Sequence, residues 1–466
     1  MEFTSELTDV LASISTAHLE FVQHASLHPS YLDRFQFGAL EEKHCAITIP
    51  IQSWPTLVDG ETVAEMERVS IGLCGLIKRI PKVIFNFDAE AMSEFYHLDR
   101  TFIEHFVLAA ADDQVFAGAM GRGDFIKTAD GLWCVEFNLA SNLAGIWEAT
   151  AWQQKMMSIP LITDYLDQKK VLVRYRNSFD LQMRHVIQQV CQSGLATRQE
   201  INVAYAFPKE EMEKDPAIPE MQKYFNENYL RVLREFGPEI HGECFVCSFD
   251  EFSVADGHAF VDGKRIHVVV ECIGGDVPLH ILRCHQRGTL NLHNGPVTYV
   301  LCNKLNLALL SELQDSEIFT EEEQNLIRRH VPWTRKVADC ASDFEGRSIS
   351  LLDFIRENKE ILVLKKSISR SGEDVVPGSC RTRQEWEKAL AWACEENDWI
   401  VQRYVPCPPL PYQWGDYGCC PHDVIWGLFV FGETYGGSFL RVLPKGHGSV
   451  VNRPKGAFDA IVLEVN

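Results

Sequence analysis

The sequence predicts a mixed α+β protein with antiparallel sheets and a mainly helical N-terminal segment. Three observations carry that prediction. Apolar residues keep helical spacing through the first 110 positions, hairpin texture begins near residue 117, and helix and strand patterns alternate from residue 299. Residues 61–80, ETVAEMERVSIGLCGLIKRI, set Val63, Met66, Val69, Leu73, Leu76, Ile77 and Ile80 on one helical face, and Pro81 is expected to stop the helix. Residues 5–24 share the helical pattern, and AITIPIQSWP reads as a short extended piece.

The next elements are read from turns and alternation. GRGDFIKTADGLWCVEFN, residues 121–138, alternates apolar and polar positions around Asp130-Gly131, a strong hairpin signal. EINVAYAF alternates as a strand, PKEEMEKDPAIPEMQK reads as an exposed loop entering a helix, and FVDGKRIHVVVE is a second hairpin about Asp262-Gly263. YVLCNKLNLALLSEL is expected to turn from strand to helix with Lys304 at the switch. SLLDFIRENKEILVLKK is a helix followed by a strand. Thr382 and Glu385 form a capping box ahead of a helix that leads to the strand WIVQRY, and the chain ends in strands. These textures divide the chain into residues 1–114, 115–298 and 299–466.

Composition narrows the function. The 466 residues carry 46% hydrophobic and 23% charged side chains, as expected of a globular enzyme-sized chain. A formal net charge of −21 argues against a nucleic-acid-binding face. No apolar run reaches membrane-spanning length, and the acidic start MEFTSELTDV lacks a signal peptide's basic region, so a cytoplasmic chain without a membrane partner is expected. Fifteen cysteines then read as free thiols in a reducing compartment. Cys244/Cys247, Cys284/His285 and Cys419/Cys420/His422 are isolated fragments of metal-binding spacing; buried free cysteine is the ordinary alternative.

Four stretches carry possible chemistry. Side chains two apart on a strand share a face, so Arg122 joins Asp124 and Glu136 joins Asn138. With Asp130 at the turn's centre, Asp124 faces Glu136 and Arg122 faces Asn138. Facing acids destabilise a sheet unless something positive lies between them, and oxygen ligands at this density suit Mg²⁺. A solvated hairpin face is the plain alternative. Lys365 ends a strand before the small, polar loop SISRSGEDVV, where backbone N–H groups suit an anion. A surface turn explains that loop equally well. Lys304 lies among apolar neighbours, where it could also snorkel. In WIVQRYVPCPPLP, Gln402 and Tyr404 share a face, and the strand backbone could meet an adenine edge or simply build core.

Together these stretches resemble the circularly permuted ATP-grasp ligases, in particular the synthetase domain of glutathionylspermidine synthetase. The resemblance spans about residues 115–455. The family's R-x-D strand and E-x-N strand match Arg122, Asp124, Glu136 and Asn138. Its N-K before an apolar helix matches Asn303-Lys304. Its phosphate loop matches Lys365 through Val375, with Arg370 and Gly372 kept and Ser371 in place of a glutamate. Lys366 replaces the family's proline and Ser369 its first glycine. The metal motif precedes the phosphate lysines, which is the permuted order.

The resemblance implies an ATP-dependent carboxylate–amine ligase that forms an amide through an acylphosphate and releases ADP and phosphate. It implies ATP and two Mg²⁺ ions, with Asp124, Glu136 and Asn138 as metal ligands and Arg122 as the catalytic group. Lys304, Lys365, Arg370, Ser371, Gly372, Gln402, Tyr404 and Arg441 fall on the nucleotide, and residues 367–374 become the candidate lid. Arg441 stands with Lys445 and Asn452 in a basic stretch for which a solvated turn is the alternative. Asn142 and Glu148 could meet the acyl acceptor or serve a helix cap. The partners would be a small-molecule or peptide carboxylate and an amine. The alternative is a catalytically silent ATP-binding module with a regulatory or scaffolding role; a kinase or hydrolase on the same cradle is the third reading.

Overall fold

The long apolar strands of the C-terminal region build the largest sheet. Cys419–Phe431 and Thr434–Pro444 pair antiparallel, Phe458–Val465 extends one side, and the hairpin Met120–Thr128/Gly131–Asn138 extends the other. Thr56–Val58 joins the far edge parallel to Phe458–Val465, which makes the sheet mixed. The computed structural model describes residues 4–27, 51–52, 54–108, 113–141, 143–195, 199–214, 217–272, 277–369, 374–413 and 419–466. Helix Gly60–Val83 covers the sheet face opposite Asp124, packing Met66, Val69 and Leu73 into one core with Leu440 and Val462. No helix among the described residues is long and apolar enough to cross a membrane.

Four smaller sheets are present among the described residues, two of them four-stranded. Thr334–Lys336, Trp399–Arg403, Leu362–Lys366 and Val375–Pro377 form an antiparallel sheet over helices Leu351–Glu357 and Arg383–Glu396. The expected capping box holds there: Glu385 N donates to Thr382 Oγ1, and Thr382 N donates to Glu385 Oε2. The other four-stranded sheet departs from the all-antiparallel expectation. Val203–Phe207, Cys244–Ser248, Val268–Glu271 and Asn291–His293 are all parallel. These strands are buried between two apolar layers, so they need continuous apolar runs rather than alternation.

Several local expectations also change. Pro81 lies inside its helix, which runs on to Val83. Residues 5–24 divide into Ser5–Ala12 and Thr16–Ser26, because Ser15 caps the second helix and donates to the Leu57 carbonyl. The expected loop after residue 208 is helical at Lys209–Lys214 and Ala217–Leu233. Thr298–Leu301 is helical rather than strand, so Lys304 sits at a junction between helices. Apolar β-branched residues fit either element when fully buried, and tertiary contacts choose. The Asp262-Gly263 hairpin does form, with both turn residues at positive φ. It is short, and Val268–Glu271 leaves it for the parallel sheet.

Candidate active site

The hairpin pairs Arg122 with Asn138 and Asp124 with Glu136, as its sequence predicts, but by a different route. Thr128 pairs with Gly131, so the turn is the two residues Ala129-Asp130. That turn alone would shift every later pair by one residue. A bulge restores the register: Phe125 pairs with Cys134, Asp124 with Glu136, and Val135 is the extra residue.

Asp124 is buried and surrounded by donors. Arg122 Nε donates to Oδ1 at 3.0 Å, and Arg441 donates to Oδ2 at 2.6 Å. Asn138 Nδ2 lies 3.4 Å from Oδ2. Burial alone would raise the Asp124 pKa, but the two guanidiniums outweigh it and hold the carboxyl below its ordinary range. Arg122 is itself fixed by a bond to the Ala144 carbonyl at 3.0 Å and by the Phe439 ring, 5.5 Å away. Gly427, opposite Asp124 on the next strand, makes that packing possible: a Cβ there would fall 2.6 Å from the Phe439 ring and 3.0 Å from Arg122 Cδ.

Glu136 differs. Its side chain is 26% exposed, and its cation is Lys304, 3.1 Å away. Lys304 arrives from the helix junction, where its backbone N–H donates to the Ser367 carbonyl and its Nζ reaches Ser369 Oγ at 3.4 Å. Lys365 arrives from the antiparallel sheet and crosses to the bulge: its Nζ donates to the Val135 carbonyl at 2.8 Å and to Gln402 Oε1 at 2.7 Å. Burial pulls the Lys365 pKa down to about 8, with Glu136 opposing and Lys304 reinforcing the shift.

The structure thus brings together Arg122, Asp124, Glu136, Asn138, Lys304, Lys365, Gln402 and Arg441. Tyr404 is exposed at the end of its strand, tied by its N–H to the Ile361 carbonyl. Arg370, Ser371, Gly372 and Asn142 lie outside the described residues. Lys445 is exposed. Glu148 caps Gly145 N at 3.0 Å and meets Arg453, whose guanidinium also grips Asp459; burial raises the Glu148 pKa, and Arg453 counters it. Arg453, Thr334 and the Val135 carbonyl escape sequence reading, since none belongs to a motif. Only their spacing from residues in other strands, invisible along the chain, brings them into play.

The positive charge expected between the facing acids is supplied here by the protein: Arg122 and Arg441 at Asp124, Lys304 at Glu136. Counting Lys365, four cations face two carboxylates, an excess of two positive charges. A bare cation would meet that excess; a polyphosphate carrying its ion would neutralise it. Glu136 and Asn138 offer hard oxygen donors of the kind Mg²⁺ takes, and Asp124 can join them by exchanging one guanidinium bond. The donor set therefore fits magnesium together with phosphate. Among the described residues no group of three His, Cys, Asp or Glu side chains is placed to hold a metal. Cys244 and Cys247 point to opposite faces of the parallel sheet.

Against solved structures the chain is similar to a glutathione synthetase-like effector from Globodera pallida in its apo form. The TM-score is 0.58 at 10% identity, covering 99% of this chain and 98% of that one, a likeness of fold. A protein described as a gamma-glutamylcysteine synthetase from Methylobacillus flagellatus gives a TM-score of 0.38 at 13% identity over 83% and 84% of the two chains, too remote to carry an argument. No family model and no curated protein matches the sequence.

Proposed function

We propose that this chain is an ATP-dependent ligase that joins a carboxylate to an amine on a small molecule or short peptide, releasing ADP and phosphate. The cradle of four cations and two carboxylates between two sheets carries the reading, because its excess charge suits a metal-bound triphosphate. The fold shared with a glutathione synthetase-like protein supports it. In this reading residues 115–298 supply the metal side and residues 299–466 the nucleotide side of a circularly permuted ATP-grasp unit, preceded by residues 1–114.

Phosphoryl transfer between two anions needs alignment and charge neutralisation more than covalent help. Lys304 and Lys365 hold phosphate oxygens, with Arg370, Ser371 and Gly372 assigned to the same group by resemblance. The buried side chain of Gln402 is directed at Lys365, so adenine contact falls to the backbone of the strand leading to Tyr404. Arg122 stabilises charge on the transferring phosphoryl group and on the later tetrahedral oxyanion. Asp124, Glu136 and Asn138 would hold Mg²⁺, which supplies charge neutralisation and orientation of phosphate oxygens when bound. Arg441 lies against the same carboxylate and would turn to phosphate or substrate carboxylate as Asp124 takes up the ion.

A second reading, a silent ATP-binding module, is favoured by one observation: both Asp124 oxygens are already engaged by guanidiniums. The deciding experiment measures ADP release with amino acids, polyamines and glutathione, alone and in carboxylate–amine pairs. A ligase releases ADP only when both partners are present. ADP release without an amine points to a kinase or hydrolase, and ATP binding without release to the silent module.

A further inference from the structure

Lys365 is held from behind by a chain of hydrogen bonds whose direction is determined throughout. The Thr334 hydroxyl has one proton, and it donates that proton to the Pro332 carbonyl at 2.7 Å. Thr334 Oγ1 can then only accept, which it does from Gln402 Nε2 at 3.1 Å. The amide of the fully buried Gln402 is therefore oriented with its Oε1 towards Lys365, 2.7 Å away. The reversed amide would set an NH₂ group against an ammonium and leave the Pro332 carbonyl without its hydroxyl. The second acceptor, the Val135 carbonyl at 2.8 Å, belongs to the residue that the bulge leaves without a partner on Met120–Thr128.

An ammonium has three N–H donors, and two are engaged by these acceptors. We propose that Thr334, Gln402 and the Val135 bulge carbonyl are positioning elements that aim the remaining N–H of Lys365 into the space between the two sheets, so that a nucleotide phosphate meets a lysine already in place. The role of that N–H towards phosphate rests on the ATP-binding reading above; the tether itself does not. A long, mobile side chain loses rotamer freedom on binding, and holding it beforehand removes that loss from the binding step. The bulge thus serves two ends of the site: it brings Asp124 opposite Glu136, and it frees a carbonyl for a lysine from another sheet.

The test uses the full-length protein with Thr334→Val, Thr334→Ser, Gln402→Met and Lys365→Ala, read two ways. In the ligand-free protein, ¹⁵N-lysine NMR follows the Lys365 ammonium, identified by its loss in Lys365→Ala. Its signal should be slow to exchange in the wild type and in Thr334→Ser, and should exchange faster in Thr334→Val and Gln402→Met. By calorimetry, Thr334→Val and Gln402→Met should weaken ATP about 5–10-fold, Thr334→Ser should not, and neither effect should persist in the Lys365→Ala background. An ammonium signal indifferent to Thr334→Val and Gln402→Met would overturn the tether. So would affinity losses of the same size without Lys365, which would mark a merely structural role. If the wild type binds no ATP, the functional reading falls, while the ammonium signal still decides the tether.

Discussion

Asp124 and Glu136 face each other across one hairpin, yet their surroundings oppose one another. The Asp124 end is buried, with two guanidiniums on one carboxylate. The Glu136 end is 26% exposed, with one lysine. Removing a charge from the first leaves two guanidiniums, one buried and one part-buried, without their shared carboxylate; removing it from the second leaves a single buried lysine, and only the Glu136 side of that pair is open to water. Symmetric positions in a sequence motif are therefore unequal in energy: Asp124 supports the fold as well as the site, and Glu136 serves mainly the site.

The largest effect should come from Asp124→Asn. A buried pair that loses one charge costs about 3–5 kcal/mol, so this variant should lose stability in urea melts as well as turnover. A variant as stable as the wild type would break the comparison. Arg122→Ala comes next. It should keep most ATP affinity and lose at least about 10²-fold in single-turnover ADP formation, as for removal of an oxyanion donor. Lysine should restore only part, since a point charge cannot reproduce the guanidinium fork. A large affinity loss with an unchanged chemical step would make Arg122 a binding residue.

Lys365→Ala should weaken ATP by about 1.5–3 kcal/mol in calorimetry, the range for a hydrogen bond to a charged group. The wild type carries a pH signature that this variant should lack. Lys365 releases its proton near pH 8 in the folded chain, so ATP affinity should fall as pH rises through that value. Stability moves the opposite way. The folded pKa lies below the ordinary lysine value of about 10.4, so the unfolded chain holds more protons between the two, and stability rises with pH across that window. At Glu136→Gln the stability change should be smaller than at Asp124→Asn, since one buried lysine rather than two guanidiniums loses its partner and the substituted side chain is 26% exposed, with Mg²⁺-dependent turnover lost. Normal turnover would remove Glu136 from the metal set.

Much of this was legible along the chain, and the exceptions share a cause. The hairpin pairing followed from alternation and a turn signal, because both act within a few residues. Its route did not, since the two-residue turn and the bulge at Val135 shift the register in opposite senses and cancel. The helix–strand units at 351–366 and 382–403 followed from a cap and apolar spacing. EINVAYAF and HVVVE were legible as strands, but their parallel pairing was not, because parallel partners are joined by long crossovers and leave no turn signal between them.

The sequence by itself determined which side chains share a strand face, the cap at Thr382, and that two acids must meet across a hairpin. Only the tertiary structure decided what stands between those acids. Arg441 reaches Asp124 from another strand of the same sheet, Lys304 reaches Glu136 from a helix junction, and Lys365 reaches the Val135 carbonyl from a separate sheet. Residues 230 or more positions apart exchange a hydrogen bond there. Local propensity carries no information over that separation; packing of apolar faces brings the sheets together, and the charges then pair where burial would otherwise leave them uncompensated.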